Sequence, residues 1–445
     1  MAGDLDSSPS APLRDGGGAA PVRLADPSRL PRRALVAWCL YDWANSAFPA
    51  VILTFVFAAY FAQGVAETPV IATGQWGLAI TLSGLAIAIL SPVFGAIADQ
   101  NGRRKPWIAL FSLICIVVTA LLWFVKPDPS YVVLALVCLA VGNFAFEFAF
   151  VFYNAMLNDL VPPDRLGRLS GWGWGAGYAG GLVCLVIVLV GFVSADPPWF
   201  GIGKDAAANV RMAAPIAALW FAVFCWPLLV FTPDHPSRGV APLTAVRDGL
   251  RTIRATLANL RHYRNIARYL LAHMIYTDGL NTLFAFGGLY AAGEFGMTLT
   301  EVIWFGIALN LTAGLGAAGF AWVDDWIGAK RTILIALIGL IFTGIAILAT
   351  HDKSVFWGLG MALGIFFGPA QAASRSLMAR LAPPDMQAEM FGLHALSGKA
   401  TAFVGPALFG WATVIFDTQR AGMASVLVFL ALGGALLWTV REPTA

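Results

Sequence analysis

Four polar residues in an otherwise apolar run, Asn143, Glu147, Asn154 and Asn158, fall within roughly 60° of one another at a helix's 100° advance per residue. Such a stripe cannot face hydrocarbon, so it faces water or another helix. Glu147 sits near the middle of its run and is either a proton carrier or one member of an ion pair with Arg375 or Lys399. Asp42 and Asn45 stand three residues apart on one face, and Asp278 and Asn281 repeat that spacing. Pro49 cannot donate to the carbonyl of Asn45, which leaves that oxygen free for water, a solute or a cation. Gln371, Ser374 and Arg375 share a further face. A guanidinium binds carboxylate through two parallel hydrogen bonds, so Arg375 is either the anchor of a solute carboxylate or the partner of Glu147 or Asp278. The candidate solute-binding set is therefore Asp42, Asn45, Asn143, Asn154, Asp278, Asn281, Gln371 and Arg375. The candidate proton-coupling set is Glu147, Asp278 and Lys399. His273 and His394 read as structural histidines.

The elements that hold these groups must cross a bilayer. Hydrophobic residues make up 59% of the chain and charged residues 12%, against roughly a quarter charged in a soluble domain. The mean hydropathy is +0.74. So few charges cannot cover a surface facing water, and lipid must be the outer solvent. Apolar runs of roughly 20 residues place twelve helical spans at 35–61, 76–98, 107–125, 131–157, 169–193, 213–231, 269–291, 302–323, 332–349, 355–378, 390–411 and 421–440. With the N-terminus inside, twenty-one lysines and arginines fall on the cytoplasmic side and five on the far side. That bias, with the even span count, places both termini in the cytoplasm.

Residues 1–32 lack apolar periodicity and read as a disordered cytoplasmic tail. A longer segment, 232–268, separates six spans (33–231) from six (269–445). Within it Val246, Leu250, Ile253, Leu257 and Leu260 recur at helical spacing, with Arg247, Arg251, Arg254 and Arg261 between them. This is an amphipathic helix, lying either on the inner membrane surface or against the bundle. The five cysteines all sit in apolar runs with no metal-ligand spacing. No cofactor motif, metal site, HExxH, catalytic triad or Walker loop is present, and no basic face suits nucleic acid. The Gly171–Gly181 run, glycine-rich without a following Lys-Ser/Thr, reads as close helix packing.

The two halves repeat. Asp42-Trp-Ala-Asn45 matches Asp278-Gly-Leu-Asn281, and Leu160-Val-Pro-Pro-Asp164 matches Leu381-Ala-Pro-Pro-Asp385. Gly95 to Lys105, with Asp99, Gly102, Arg103 and Arg104, matches Ala321 to Arg331, with Asp325, Gly328 and Lys330. Three matches in the same order indicate a duplicated six-helix unit.

The segment Gly95 to Lys105 resembles the signature loop of the major facilitator superfamily. That resemblance implies a cytoplasmic gate latch in which Asp99 pairs with basic residues and a neighbouring helix end; the second copy keeps Asp325, Gly328, Lys330 and Arg331 but has Ala321 in place of the first glycine. The octapeptide Tyr41-Asp-Trp-Ala-Asn-Ser-Ala-Phe48 is similar to the opening signature of the vacuole-effluxer branch, whose eukaryotic members are associated with export of neutral amino acids. The expected fold is an all-α membrane protein of twelve helices in two pseudo-symmetric halves, with spans one, four, seven and ten lining a central cavity. The expected function is secondary transport by alternating access, proton-linked and favouring export of a small polar or zwitterionic solute such as an amino acid. The expected setting is a monomer in a bacterial inner membrane. A non-transporting sensor or assembly factor on the same fold is the alternative; the chain does not read as an enzyme.

Overall fold

The computed structural model describes residues 30–258 and 263–443. The tail up to residue 29, Leu260 and Arg261 lie outside the described residues. All regular structure among the described residues is helical. Eleven helical runs are long and apolar enough to cross a membrane: Arg32–Val65, Pro69–Asn101, Lys105–Phe124, Pro129–Leu160, Pro163–Val193, Asp205–Phe231, Thr300–Ile327, Ala329–Ala349, Lys353–Leu381, Gln387–Phe416 and Gln419–Trp438. A twelfth, Arg264–Phe295, has the length, at 32 residues, but is diluted by His273, Asp278 and Asn281. It takes the place of span seven. On span two, Leu78, Leu82, Leu85 and Ile89 form a stripe at helical spacing, each more than half exposed. An apolar face of that kind is at home against acyl chains.

Two irregular helices bear on the site. Span one widens into a π-helical stretch at Phe48–Phe55, beginning where Pro49 lacks the N–H that an α-turn requires. Span eleven, read from the sequence as one helix, is two, Gln387–Lys399 and Val404–Phe416. Pro406 has no N–H to return to Ala402, and it disfavours α-geometry at Gly405. The chain bridges the gap with tighter turns, Val404 N–H donating to the Thr401 carbonyl at 2.8 Å.

The duplication shows in the bracing of the helix ends. On the outer side, Arg211 at the start of span six donates to the Trp123 carbonyl ending span three. Arg420 at the start of span twelve donates to the Leu348 and Thr350 carbonyls at the end of span nine, at 2.6 and 3.0 Å. On the inner side, the Asp234 carboxylate accepts the Arg104 and Lys105 N–H groups that open span three, at 2.9 and 3.3 Å. Glu442 does the same for Ala329 and Lys330 at span nine, at 2.8 and 3.0 Å. Cations at helix C-termini and anions at N-termini each complement the local backbone dipoles.

The halves meet along two seams, span two against span eleven and span five against span eight. Ser91 donates to the Gly392 carbonyl at 2.9 Å. A Cβ on Gly95 would stand 2.2 Å from the Ala388 carbonyl oxygen, and one on Gly171 would stand 2.6 Å from that of Ala317. Backbones touch here because these positions carry no side chain.

Candidate functional site

A cavity of about 460 Å³ lies between the halves, walled by spans one, four, five, seven, eight, ten and eleven. Its inner floor is a buried ion pair. Asp42 of span one and Arg375 of span ten meet at 2.9 Å, with side chains only 5% and 3% exposed. Four of the guanidinium's five N–H groups are engaged, one of them by Asp42 itself. The others donate to Asn154 Oδ1 at 3.3 Å, to Ser170 Oγ at 2.9 Å and to the Ser170 carbonyl at 2.6 Å. Tyr153 donates its hydroxyl to the same Asp42 oxygen at 2.9 Å. Trp38 lies 4.8 Å and Trp174 5.6 Å from the guanidinium carbon, a cation–π enclosure.

Higher on the wall stands a second pair, Glu147 of span four with Lys399 of span eleven, at 2.7 Å. Its side chains are 18% and 31% exposed, so a solute in the cavity can reach both. Asn45, Asn154, Asn281 and Gln371 also face the cavity, and Gln371 accepts the Tyr178 hydroxyl across the halves at 2.6 Å. Two sequence candidates lie elsewhere. Asn143 donates to Ser83 of span two at 2.7 Å. Asp278 turns toward the break in span eleven and accepts the Gly405 N–H at 3.2 Å; it caps the outer half-helix rather than lining the cavity.

The two histidines set aside in the sequence both line the cavity. Their rings face each other with centroids 3.8 Å apart. His273 Nδ1 is 2.7 Å from Ser397 Oγ, and His394 Nε2 is 3.1 Å from the Tyr269 hydroxyl. They stand on spans seven and eleven, so no local pattern in the chain pairs them.

Among the described residues, the hydrogen bonds and ion pairs joining the halves lie level with the cavity or on the side of it where spans two and eight end. The cavity is closed on the side where spans two and eight end; on the opposite side Phe55 reaches over Gly306. The innermost closure is two-fold. Asp99, ending span two, accepts the Ala388 and Glu389 N–H groups opening span eleven, at 3.1 and 2.8 Å. Asp325, ending span eight, accepts the Gly167 and Arg168 N–H groups opening span five, at 2.8 and 3.3 Å, and the Arg168 guanidinium at 2.6 Å. Gly102 and Gly328, at φ +86° and +94°, supply the left-handed turns behind these carboxylates.

The neighbouring cations act within their own halves. Arg104 binds Asp159 and the Ala155 carbonyl, Lys105 holds the Leu229 and Thr232 carbonyls, and Lys330 holds those of Trp438 and Val440. Arg103 and Arg331 are exposed. Asp325→Asn is expected to loosen the closure by about 1–3 kcal/mol. It reads out as faster labelling, from the cytoplasmic side, of a cysteine placed at Asn158, which spans the seam to the Ala379 carbonyl.

Twelve helices in two halves around a polar cavity, sealed on one side by paired contacts, define a transporter of the major facilitator superfamily, not an enzyme. Residues 65–445 match the family described as vacuole effluxer Atg22 like, and the chain belongs to that family. It is 26% identical over 412 residues to YxiO, an MFS-type transporter of Bacillus subtilis (strain 168), covering 92% of this chain and 95% of that one. It is 25% identical over 295 residues to autophagy-related protein 22-1 of Penicillium rubens, covering 61% of this chain and 48% of that one. The chain thus aligns with about half the length of this fungal relative. Among solved structures it is similar to the proton:xylose symporter XylE, with a TM-score of 0.73, 14% identity and coverage of 92% and 96%. It also resembles FucP in the outward conformation, with a TM-score of 0.71, 14% identity and coverage of 93% and 99%. At these identities the structural likeness speaks for the fold.

Proposed function

We propose that the chain is a proton-linked secondary transporter of a small zwitterionic solute such as an amino acid, with export as the favoured direction. The halves 33–231 and 269–445 rock about the cavity, the latter following the linker 232–268. The protein works as a monomer in a bacterial inner membrane with both termini cytoplasmic, as the distribution of lysine and arginine supports. The observation that carries this reading is the Glu147–Lys399 pair, in which opposite charges from opposite halves are both open to the cavity. A zwitterion brings an ammonium for Glu147 and a carboxylate for Lys399, and so can part the pair without stranding either charge. A proton and the solute's ammonium compete for the same Glu147 carboxylate, so protonation of Glu147 releases the solute and couples its passage to that of the proton. Asn45, Asn154, Asn281 and Gln371 supply hydrogen bonds around the backbone of such a solute. The word effluxer in the family's description supports the direction.

The test is counterflow in proteoliposomes with a panel of labelled amino acids, with and without a pH gradient. Saturable exchange is expected for the parent. Glu147→Gln should keep exchange while losing its response to the gradient. Lys399→Ala should raise the half-saturating concentration by about tenfold, the equivalent of roughly 1.4 kcal/mol. Absence of exchange with every amino acid would remove the substrate class. Exchange in Glu147→Gln that still follows the gradient would remove the coupling role.

A further inference from the structure

We infer that the linker helix Pro242–Ala258 is a binding surface for anionic lipid headgroups, held at the inner edge of the bilayer against the gate seam. The inference rests on the cytoplasmic placement of the linker proposed above. Its buried face is taken by the bundle: Ala245 and Ile253 are buried, Gly249 lies against Ile97 of span two, and Gln100 donates to Thr252 at 3.2 Å. These contacts fix its depth. Span two has 33 residues and is about 50 Å long, well beyond the roughly 30 Å of the hydrocarbon core. Its exposed apolar stripe runs from Leu78 to Ile89, so its last turns, where Ile97 and Gln100 stand, lie beyond the hydrocarbon at headgroup level.

The remaining surface of the helix is divided lengthwise. Leu243, Val246 and Leu250 are 85%, 40% and 47% exposed and fall in one sector of roughly 60° at 3.6 residues per turn. Arg247, Arg251 and Arg254 occupy the adjoining sector of similar width, all exposed and without an acidic partner among the described residues. An apolar flank beside three unpaired guanidiniums, at headgroup depth, matches an acyl boundary beside a row of phosphates. Guanidinium binds phosphate through paired hydrogen bonds, and three of them side by side favour headgroups whose phosphate charge no choline ammonium offsets.

The test places an environment-sensitive fluorophore on Leu243→Cys in the full-length protein, in bilayers of phosphatidylcholine alone or mixed with phosphatidylglycerol. The cysteine-intact parent serves as labelling control. Emission should shift to the blue, and lipid-borne nitroxides should quench it, in the mixed bilayer only. High salt and the Arg247→Gln, Arg251→Gln, Arg254→Gln triple variant should each reverse the shift. Water-like emission in both bilayers overturns the inference. So does an equal shift in both, which reports apolar contact without headgroup recognition. Burial of the probe only after addition of cytosolic proteins overturns it in favour of a protein occupant. Should the triple variant fail to fold, the parent's dependence on lipid composition and salt decides alone.

Discussion

Arg375→Ala is expected to lower exchange by at least about a hundredfold and to open the cytoplasmic side. Removing one member of a buried pair leaves the other charge uncompensated, at a cost of about 3–5 kcal/mol. That charge is Asp42, 3% exposed, and its penalty falls on the outward-facing form in which the pair is buried. At about 1.4 kcal/mol per tenfold, the equilibrium moves toward the inward-open form by about two to three and a half decades. The cysteine at Asn158 should then react from the cytoplasmic side at rates approaching those of a fully open seam. If Arg375 were only a solute anchor, exchange would fall but labelling would stay slow. The double variant Asp42→Asn, Arg375→Gln removes both charges and should restore slow labelling without restoring exchange.

Gly95→Val should be as severe for a different reason. Its Cβ would stand 2.2 Å from the Ala388 oxygen and 2.6 Å from the Ala388 carbon, atoms of a backbone that cannot step aside. The opposing Gly392 is equally confined, its Cβ position 2.4 Å from the Ser91 oxygen. Each helix keeps its own hydrogen bonds, so the protein should fold, yet the inner seam cannot close. Expected results are exchange reduced at least about a hundredfold, since overpacking that commonly costs about 1–3 kcal/mol reaches or passes its upper end where it falls on backbone, and rapid labelling at Asn158. Gly77→Val on the same helix, with nothing within 4 Å of its Cβ position, should leave both unchanged. Slow labelling in Gly95→Val would overturn the assignment of this seam as the inner gate.

The spans and their duplication were legible in the sequence because lipid imposes length, apolarity and a bias of basic residues that survive without any knowledge of packing. The charged residues of the cavity were legible for the same reason: a charge in hydrocarbon needs a purpose. Their partners were not. The stripe on span four shows that Asn143, Glu147 and Asn154 share a face, but the structure gives them Ser83, Lys399 and Arg375, on three different helices. Asp278 shares its spacing with Asp42 yet serves a helix end, because only its counterpart span is broken. That break had a visible signal in Gly405-Pro406. The paired histidines had none, since a lone imidazole on an apolar run is indistinguishable from a structural one until the fold brings a second against it.

The break in span eleven has a mechanical meaning. The inner piece, Gln387–Lys399, is fastened to the opposite half through Asp99, Ser91 and Glu147. The outer piece is fastened to its own half, where Asp278 holds Gly405 and Gly422 lies against the Phe409 carbonyl. The tightly turned link Ala400–Phe403 is thus an elbow between an inner limb tied to both halves, Ser397 and His394 holding it to span seven, and an outer limb tied to its own half. Lys399 is the last residue before the joint, so a solute that draws it off Glu147 pulls on the lever where its arm is shortest, and the cytoplasmic end of the limb, a dozen residues away, travels farthest.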